Sequence, residues 1–499
     1  MNKKNNILFR PWKKLKRLQN EKLRFFITRH LYPFSRYYRE LFDKNKIKPS
    51  AIRTVEDLQK LPFTSKKDFI TLIKRSPDRS NFAFLLEPNE ELIRKFLPKS
   101  ELLKFFLLGL FKGKASLKAS LDKEYRPIFL TATAGTTNQP IPFLYTSYDL
   151  DNLKICGKRV IEIMGINKEQ RAMNVFPYAP HLAFWQTVFA GFAANIFIIS
   201  TGGGKTVGTK GNIRTLLKVK PRFLIGTPSY VYHILKTARE RNLNLSFLNR
   251  IILGAARVPK GFKLKISKLL TQMGAQEIRV FGTYGFTESR CAWVECPADI
   301  GAASGYHTFP DKEVFEVIDP LTGQVKGEGQ DGELVYTKID GRGSCVLRYR
   351  TGDIVKGGIV YSPCPHCGRT VPRISNDIVR AANVKNIQLS KIKGTVVNLN
   401  TLEYILDNNE AIDDWQIEIM KKDNDPYEVD ELILNVSLLG GVNKDEFISS
   451  LNQEVSASAE VSFNRVNFVS SLEIQQMLEV ESAVKAKRIV DKRGKISNT

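Results

Sequence analysis

A run of hydroxyl-bearing residues around one glycine, Thr131-Ala-Thr-Ala-Gly-Thr-Thr-Asn-Gln-Pro140, follows directly on a short apolar stretch. Such a loop can turn backbone N–H groups and Thr hydroxyls toward phosphate oxygens. A second loop, Phe281-Gly-Thr-Tyr-Gly-Phe-Thr-Glu-Ser289, also follows an apolar run and sets an aromatic ring, a glycine, a hydroxyl and a carboxylate close together. Those groups suffice to stack a base, admit a phosphate and hold a magnesium ion. In a third, Leu347-Arg-Tyr-Arg-Thr-Gly-Asp353, the aspartate can accept both hydrogen bonds of a ribose diol. Ser200-Thr-Gly-Gly-Gly-Lys-Thr206 ends like a P-loop, but the template requires glycine where Ile199 stands. It reads instead as a tight strand-to-helix turn lining a pocket.

Cys364-Pro-His-Cys367 has the spacing of a metal knuckle, and Cys296 and His307 could fold back to complete a tetrahedral set. Two rivals stand beside this reading: His366 in place of His307, and reduced thiols without metal. Cys156, Cys291 and Cys345 read as core thiols. The segment from Asn174 to Trp185 is unusually aromatic for a strand-to-helix loop. Its Tyr178, His181, Phe184 and Trp185 could wall a flat hydrophobic ligand.

These loops need a frame that holds strand ends together. Apolar runs at Ile128–Thr131, Ala194–Ser200, Phe223–Ile225, Ile251–Gly254 and Ile278–Phe281 alternate with helical patterns, as in an α/β fold with parallel strands. From Val314 to Val360 a meander pattern predicts an antiparallel β subdomain, and a smaller α+β unit follows the polar stretch Ser375–Asn386. Residues 1 to about 125 read as amphipathic helices, with Thr64 or Ser65 capping one that opens at Lys66.

The chain of 499 residues is 42% apolar and 25% charged, an ordinary globular composition that excludes collagen-like and disulfide-miniprotein classes. Its apolar runs fall short of a membrane span, and its start lacks the apolar core of a signal peptide, so the expected location is cytoplasmic. Net charge is +25, and residues 1–50 alone carry 15 Lys and Arg against 3 Asp and Glu. That charge suits anionic partners. The apolar stripe Leu15, Leu18, Leu23, Phe26, Ile27 and Leu31 within it suggests either a solvated helix face or a peripheral contact with an anionic membrane. No zinc-finger spacing or basic heptad array supports nucleic-acid binding.

Taken in order, Thr-Ala-Gly-Thr-Thr-x-x-Pro, Tyr-Gly-Phe-Thr-Glu and Tyr-Arg-Thr-Gly-Asp resemble the adenylate-forming acyl ligase superfamily. Leu61-Pro-Phe-Thr64, Cys367-Gly-Arg-Thr-Val-Pro-Arg-Ile374 and Ala486-Lys-Arg-Ile-Val-Asp491 are similar to its phenylacetate-CoA ligase branch. The resemblance begins near residue 55. It implies a basic helical extension at 1–54, a large AMP-binding domain with parallel sheets and a β subdomain at 55–376, and a small mobile α+β C-terminal domain at 377–499. The implied reaction is ATP-dependent, magnesium-assisted adenylation of an aryl or other hydrophobic carboxylic acid, then thioester formation with CoA.

By the same resemblance Thr133, Gly135, Thr136 and Thr137 hold phosphates, and Thr283, Tyr284 and Gly285 flank the adenine with Gly254, Ala255 and Ala256. Thr287 reaches the α-phosphate, Glu288 binds magnesium, and Asp353 and Arg380 contact the ribose. Lys485 stabilises the adenylation transition state, with Lys487 as fallback. Tyr178, His181, Phe184 and Trp185 fall where the family builds its acyl pocket. Some members carry a structural zinc near the segment that holds Cys296, His307, Cys364 and Cys367.

Two departures weaken the match. Asn138-Gln139-Pro140 stands where Gly-Lys-Pro is common, and Ala381-Ala-Asn-Val-Lys385 replaces an acidic hinge pair. Rival functions are therefore acyl or adenylyl transfer to another acceptor, such as an acidic acyl carrier protein, and a catalytically degenerate basic scaffold on a membrane or RNA.

Overall fold

The computed structural model describes residues 6–75, 84–133, 140–300, 302, 304–380, 391–392, 395–396, 399–424, 430–459, 461–482 and 485–493. A hairpin of β1 (Phe129–Ala132) and β2 (Pro142–Tyr145) precedes a set of short parallel strands. These are β3 (Ala172–Asn174), β4 (Ile198–Ser200), β5 (Phe223–Gly226), β6 (Arg250–Leu253) and β7 (Arg279–Phe286). Helices Leu182–Ala193, Gly204–Val219, Pro228–Glu240 and Lys260–Gln272 make the crossovers, which is why these strands carry continuous apolar runs rather than alternating ones. The order β4-β3-β5-β6-β7 continues antiparallel into β8 (Cys291–Val294) and β9 (Tyr306–His307).

The chain then lays down β10 (Glu313–Ile318), β11 (Gly332–Lys338) and β12 (Tyr349–Lys356) as an antiparallel meander. Short strands β13 (Ile359–Val360) and β14 (Arg373–Ile374) return to the edge of the large sheet beside β9. Finally β15 (Asp377–Arg380) pairs with β12, so these residues still belong to the meander sheet. The last unit has a separate apolar core that includes Leu402, Trp415, Leu434 and Leu451. Its four-stranded sheet is built from Ile412–Lys421, Asp430–Leu438, Arg465–Phe468 and Ile489–Asp491.

The basic N-terminal segment is part of the main core rather than an arm. Helices Trp12–Phe26 and Arg36–Lys44 bury Leu15, Leu23, Phe26, Tyr38 and Phe42 in the same cluster as Trp293 and Leu347. The Gln19 amide donates to the Glu313 carbonyl at 2.7 Å, and Lys22 reaches Asp340 at 2.9 Å. The stripe suggested above as a membrane contact is therefore turned inward, with its cations outward; burial of apolar area decides the orientation. No described helix is long and apolar enough to cross a membrane.

Helix Ser147–Met164 is anchored at its start by a capping box, in which Thr146 and Asp149 satisfy each other's backbone N–H groups. Asp149 is buried, pairs with Arg290 at 2.9 Å and accepts the N–H groups of Arg342 and Gly343. That network ties the helix to the end of β7 and to the loop before β12. Of the two residues expected to cap the helix opening at Lys66, Ser65 takes the role, its N–H donating to Asp68 at 2.7 Å. Thr64 instead bonds the Leu347 carbonyl and pairs with Tyr349.

Candidate active site

A cavity of about 1060 Å³ opens where the C-terminal ends of the parallel strands face the last unit of the chain. Thr133, Ala255, Thr283, Gly285, Thr287, Glu288 and Lys485 all line it. Ligands of open α/β sheets bind at this end of the strands, because the loops there are free to diverge.

Each of these residues is set by its neighbours. The Thr133 N–H donates to the Ile141 carbonyl at 3.0 Å across the base of the β1–β2 hairpin, and its hydroxyl oxygen accepts the Ile141 N–H at 3.0 Å. Gly135, Thr136, Thr137, Asn138 and Gln139 lie outside the described residues. Gly254 follows β6 and lies against Thr283, whose Oγ1 would stand 2.2 Å from any added Cβ, so no side chain fits. Ala255 follows in the left-handed region with φ +67°, a conformation costing an L-residue roughly 1–2 kcal/mol. Glu288 faces the cavity with Oε1 held at 2.7 Å by the Tyr349 hydroxyl, and its other oxygen has no hydrogen bond among the described residues. A magnesium ion asks little more of a protein than one or two carboxylates beside substrate phosphates, and this position fits that requirement.

Tyr284 and Asp353 stand beside the cavity rather than on its wall, joined by a 2.7 Å hydrogen bond from the phenol to Oδ2. Asp353 lies opposite Arg380 in the β12–β15 register, which brings the two expected ribose contacts to one level. The Arg380 side chain and the segment 381–385 are outside the described residues.

Lys485 enters the cavity from the C-terminal unit, while Lys487 is turned away into an ion pair with Glu479. Contacts across the two units hold this placement. Tyr232 donates to Asp413 at 2.6 Å, Lys236 pairs with the same carboxylate, and Ile474, Leu478 and Val480 join the core beneath helix Pro228–Glu240. His181 also lines the cavity. Burial, then the Lys485 charge, pulls its imidazole below the ordinary value, against a raising hydrogen bond to the Pro177 carbonyl. Its Nε2 has no partner among the described residues.

The aromatic pocket expected from the sequence is corrected by helical phase. Leu182, Ala183, Gln186, Thr187 and Ala190 face the cavity, so Phe184 and Trp185 point elsewhere. Those two rings pack edge-on against each other at 5.3 Å, and Trp185 packs on Phe129 at 5.1 Å. Tyr178 is 66% exposed. The apolar wall comes from Val160, Ile161, Met164, Ile225, Ile252 and Trp293 instead. Also unforeseen at the mouth are Lys66, Lys67 and an Arg350–Glu333 pair; the two arginines flanking Tyr349 in sequence were the available signal. The Ser200–Thr206 loop is the tight turn expected, with Gly202 and Gly203 at φ +74° and +81°, but it packs on Pro177 and Glu481 rather than lining the large cavity.

Away from the cavity, Cys296, His307, Cys364 and Cys367 converge with all ligand atoms within 4.8 Å of one another. Cys296 Sγ is 3.8 Å from Cys364 Sγ, and Cys367 Sγ is 3.3 Å from His307 Nε2. Thiolates about 2.3 Å from a tetrahedral zinc stand about 3.8 Å apart, so the set fits that ion. His366 is exposed and outside the cluster. Cys156, Cys291 and Cys345 are buried elsewhere.

Residues 51–343 match the AMP-binding enzyme family, and the chain belongs to it. Within that family it is an adenylate-forming, phenylacetate-CoA ligase-like chain. It is 25% identical over 394 residues to the phenylacetate-coenzyme A ligase of Thermus thermophilus, covering 77% of this chain and 76% of that protein. Against the phenylacetate-coenzyme A ligase of Aromatoleum evansii it is 24% identical, covering 96% and 95%. A crystal structure of 2-hydroxyisobutyryl-CoA ligase in the postadenylation state shares the fold, with a TM-score of 0.74, 18% identity and coverage of 97% of this chain and 91% of that one.

Proposed function

We propose that the protein adenylates a hydrophobic carboxylic acid, aryl or otherwise, with Mg-ATP and then passes the acyl group to the thiol of CoA. One observation carries the reading: Thr287, Glu288 and Lys485, from two separately packed units, meet on the rim of one cavity whose far end is apolar. The phenylacetate-coenzyme A ligases similar to this chain support the CoA acceptor.

In adenylation a carboxylate oxygen bonds the α-phosphorus in line with the leaving pyrophosphate, so the catalyst must hold the triphosphate and neutralise the charge that spreads over it. The Lys485 ammonium and the Thr287 hydroxyl meet that charge. Glu288 would hold the magnesium, which would supply charge to offset that of the phosphates. Lys66 and Lys67 bring cations to the same mouth, where the family's common loop lysine is replaced by Gln139. Asp353 and Arg380 take the ribose, with Tyr284 beside the adenine. The closed Cys296, His307, Cys364 and Cys367 set takes a structural zinc, since four protein ligands leave no open position for chemistry.

The test is acid-dependent exchange of labelled pyrophosphate into ATP, with CoA thioester followed by mass. Lys485→Ala lowers exchange ~10²- to 10³-fold while ATP still binds. Exchange surviving that change removes Lys485 from the mechanism. Silence of the wild type across aromatic and aliphatic acids, with ATP bound, overturns the reaction itself.

A further inference from the structure

Between the N-terminal helices and β1 the chain turns a group of large apolar side chains to solvent. Helix Lys99–Tyr125 is interrupted at Gly113, where φ is +81°. Its first half, residues 99–112, carries Leu103, Leu107, Leu110 and Phe111 at 56%, 40%, 67% and 81% exposure. At about 100° per residue these four positions fall within a single arc of similar width, so they form one face. An exposed leucine here and there is ordinary on a protein surface, but a helix face made of four large apolar side chains marks a surface that something covers.

The excursion is fastened to the core at both ends. Before it, Phe96 packs edge-on against Tyr32 at 5.5 Å and lies under the Arg39 guanidinium. At its far end Tyr125 shares a 2.7 Å hydrogen bond with His30 Nδ1 and packs edge-on against Phe34, and Glu124 pairs with Arg342. The apolar face is therefore held out from the body of the protein beside the basic N-terminal helices, whose charge now acquires a use.

Charge and composition choose the kind of cover. Residues 94–123 contain eight Lys and Arg against two Asp and Glu, and one of those acids, Glu101, is already paired with Lys104 at 3.0 Å. A second copy of the chain would bring the same positive charge to the contact and be repelled. A groove on a protein partner takes one apolar face of a helix whose other face is polar, whereas eight of the ten residues 102–111 are Leu or Phe. Ten residues rise about 15 Å, half of the roughly 30 Å hydrocarbon core, so the segment is too short to cross a bilayer and long enough to lie in its surface.

We propose that residues 99–112 dock the protein on an anionic membrane surface. Leu103, Leu107, Leu110 and Phe111 enter the boundary between headgroups and acyl chains, and the lysines that flank the run in sequence, Lys95, Lys99, Lys112 and Lys114 among them, meet the anionic headgroups. The outward cations of the N-terminal helices add to the attraction.

The test is co-sedimentation of the full-length protein with vesicles of phosphatidylcholine alone and of phosphatidylcholine containing about 30% phosphatidylglycerol. The wild type binds the anionic vesicles at least ~10-fold more tightly than the neutral ones, and added salt narrows the difference. The Leu110→Ser, Phe111→Ser double variant loses at least ~10-fold in that binding while keeping its circular dichroism spectrum, since both side chains are exposed. Phe111→Trp reads insertion directly: anionic vesicles shift its additional emission to the blue relative to the wild type. Wild-type protein that stays in the supernatant with anionic vesicles overturns the proposal. So does binding unchanged in the double variant, or a Phe111→Trp emission that does not move, either of which assigns the attachment to surface charge elsewhere. Dimerisation of the wild type in sedimentation without vesicles, abolished by the double variant, gives the face to a second copy and overturns the proposal as well.

Discussion

The phenol of Tyr284 donates a 2.7 Å hydrogen bond to a carboxylate oxygen of Asp353, uniting two motifs that lie sixty-nine residues apart. Asp353 is buried, and that donor helps orient its carboxylate. Tyr284→Phe is expected to raise the KM for ATP by about 10- to 150-fold, the effect of losing a charge-assisted bond worth about 1.5–3 kcal/mol, with a smaller change in kcat. Exchange kinetics at varied ATP check it. An unchanged KM separates the pair from nucleotide binding.

Tyr284 also stacks on Tyr306 at 5.8 Å, and Tyr306 precedes His307 of the four-residue cluster. A Cys364→Ser, Cys367→Ser double variant is expected to lose one equivalent of zinc by metal analysis. Its Tm should fall by several degrees, as for the loss of a few kcal/mol from a chain of this size. Wild-type protein purified without chelator but free of metal contradicts the site.

Glu313, the first residue of β10, is a buried carboxyl. Burial pushes its pKa up to about 8, against the opposing charge of Lys338. Oε1 accepts from Trp293 and from the Phe309 N–H at 2.7 and 2.8 Å, and Oε2 has no partner among the described residues. A folded value above the unfolded one means that the folded chain binds the proton more tightly. The resulting stabilisation is full below the ordinary carboxylate range and is lost as pH rises through about 8. Melting temperature should therefore decline across that window in the wild type and decline less in Glu313→Gln. Parallel profiles for the two proteins sink the assignment.

Removal of residues 1–50 takes Leu8, Leu15, Leu23, Phe26, Leu31, Tyr38 and Phe42 out of the central core. Each buried apolar side chain contributes about 1.5–3 kcal/mol, and a domain has only about 5–15 in total. The truncated chain is expected to be insoluble or to lack cooperative unfolding by circular dichroism. A folded, ATP-binding truncation would show the segment to be a detachable arm after all.

Much of the frame is legible in the amino-acid order because it rests on local physics. Apolar runs and their alternation with helical periods mark β5 and β6 within a residue and the start of β7, which runs five residues beyond its apolar run. The tight turn at Gly202 and Gly203 follows from residue type and spacing. Thr287, Glu288 and Lys485 were expected from the resemblance in motif order and do line one cavity, and Cys296, His307, Cys364 and Cys367 were expected together, with His366 as the rival to His307.

Tertiary packing decided the rest, since long-range partners and helix phase are not written into any short window. Only the fold chooses His307 over His366, by carrying β9 beside β14 and leaving His366 in solvent. It turns Phe184 and Trp185 away and Gln186 inward, because a helix presents one face at a time and the sheet beneath determines which. It also draws the basic N-terminal helices into the core, where the area they bury outweighs the charge that first marked them.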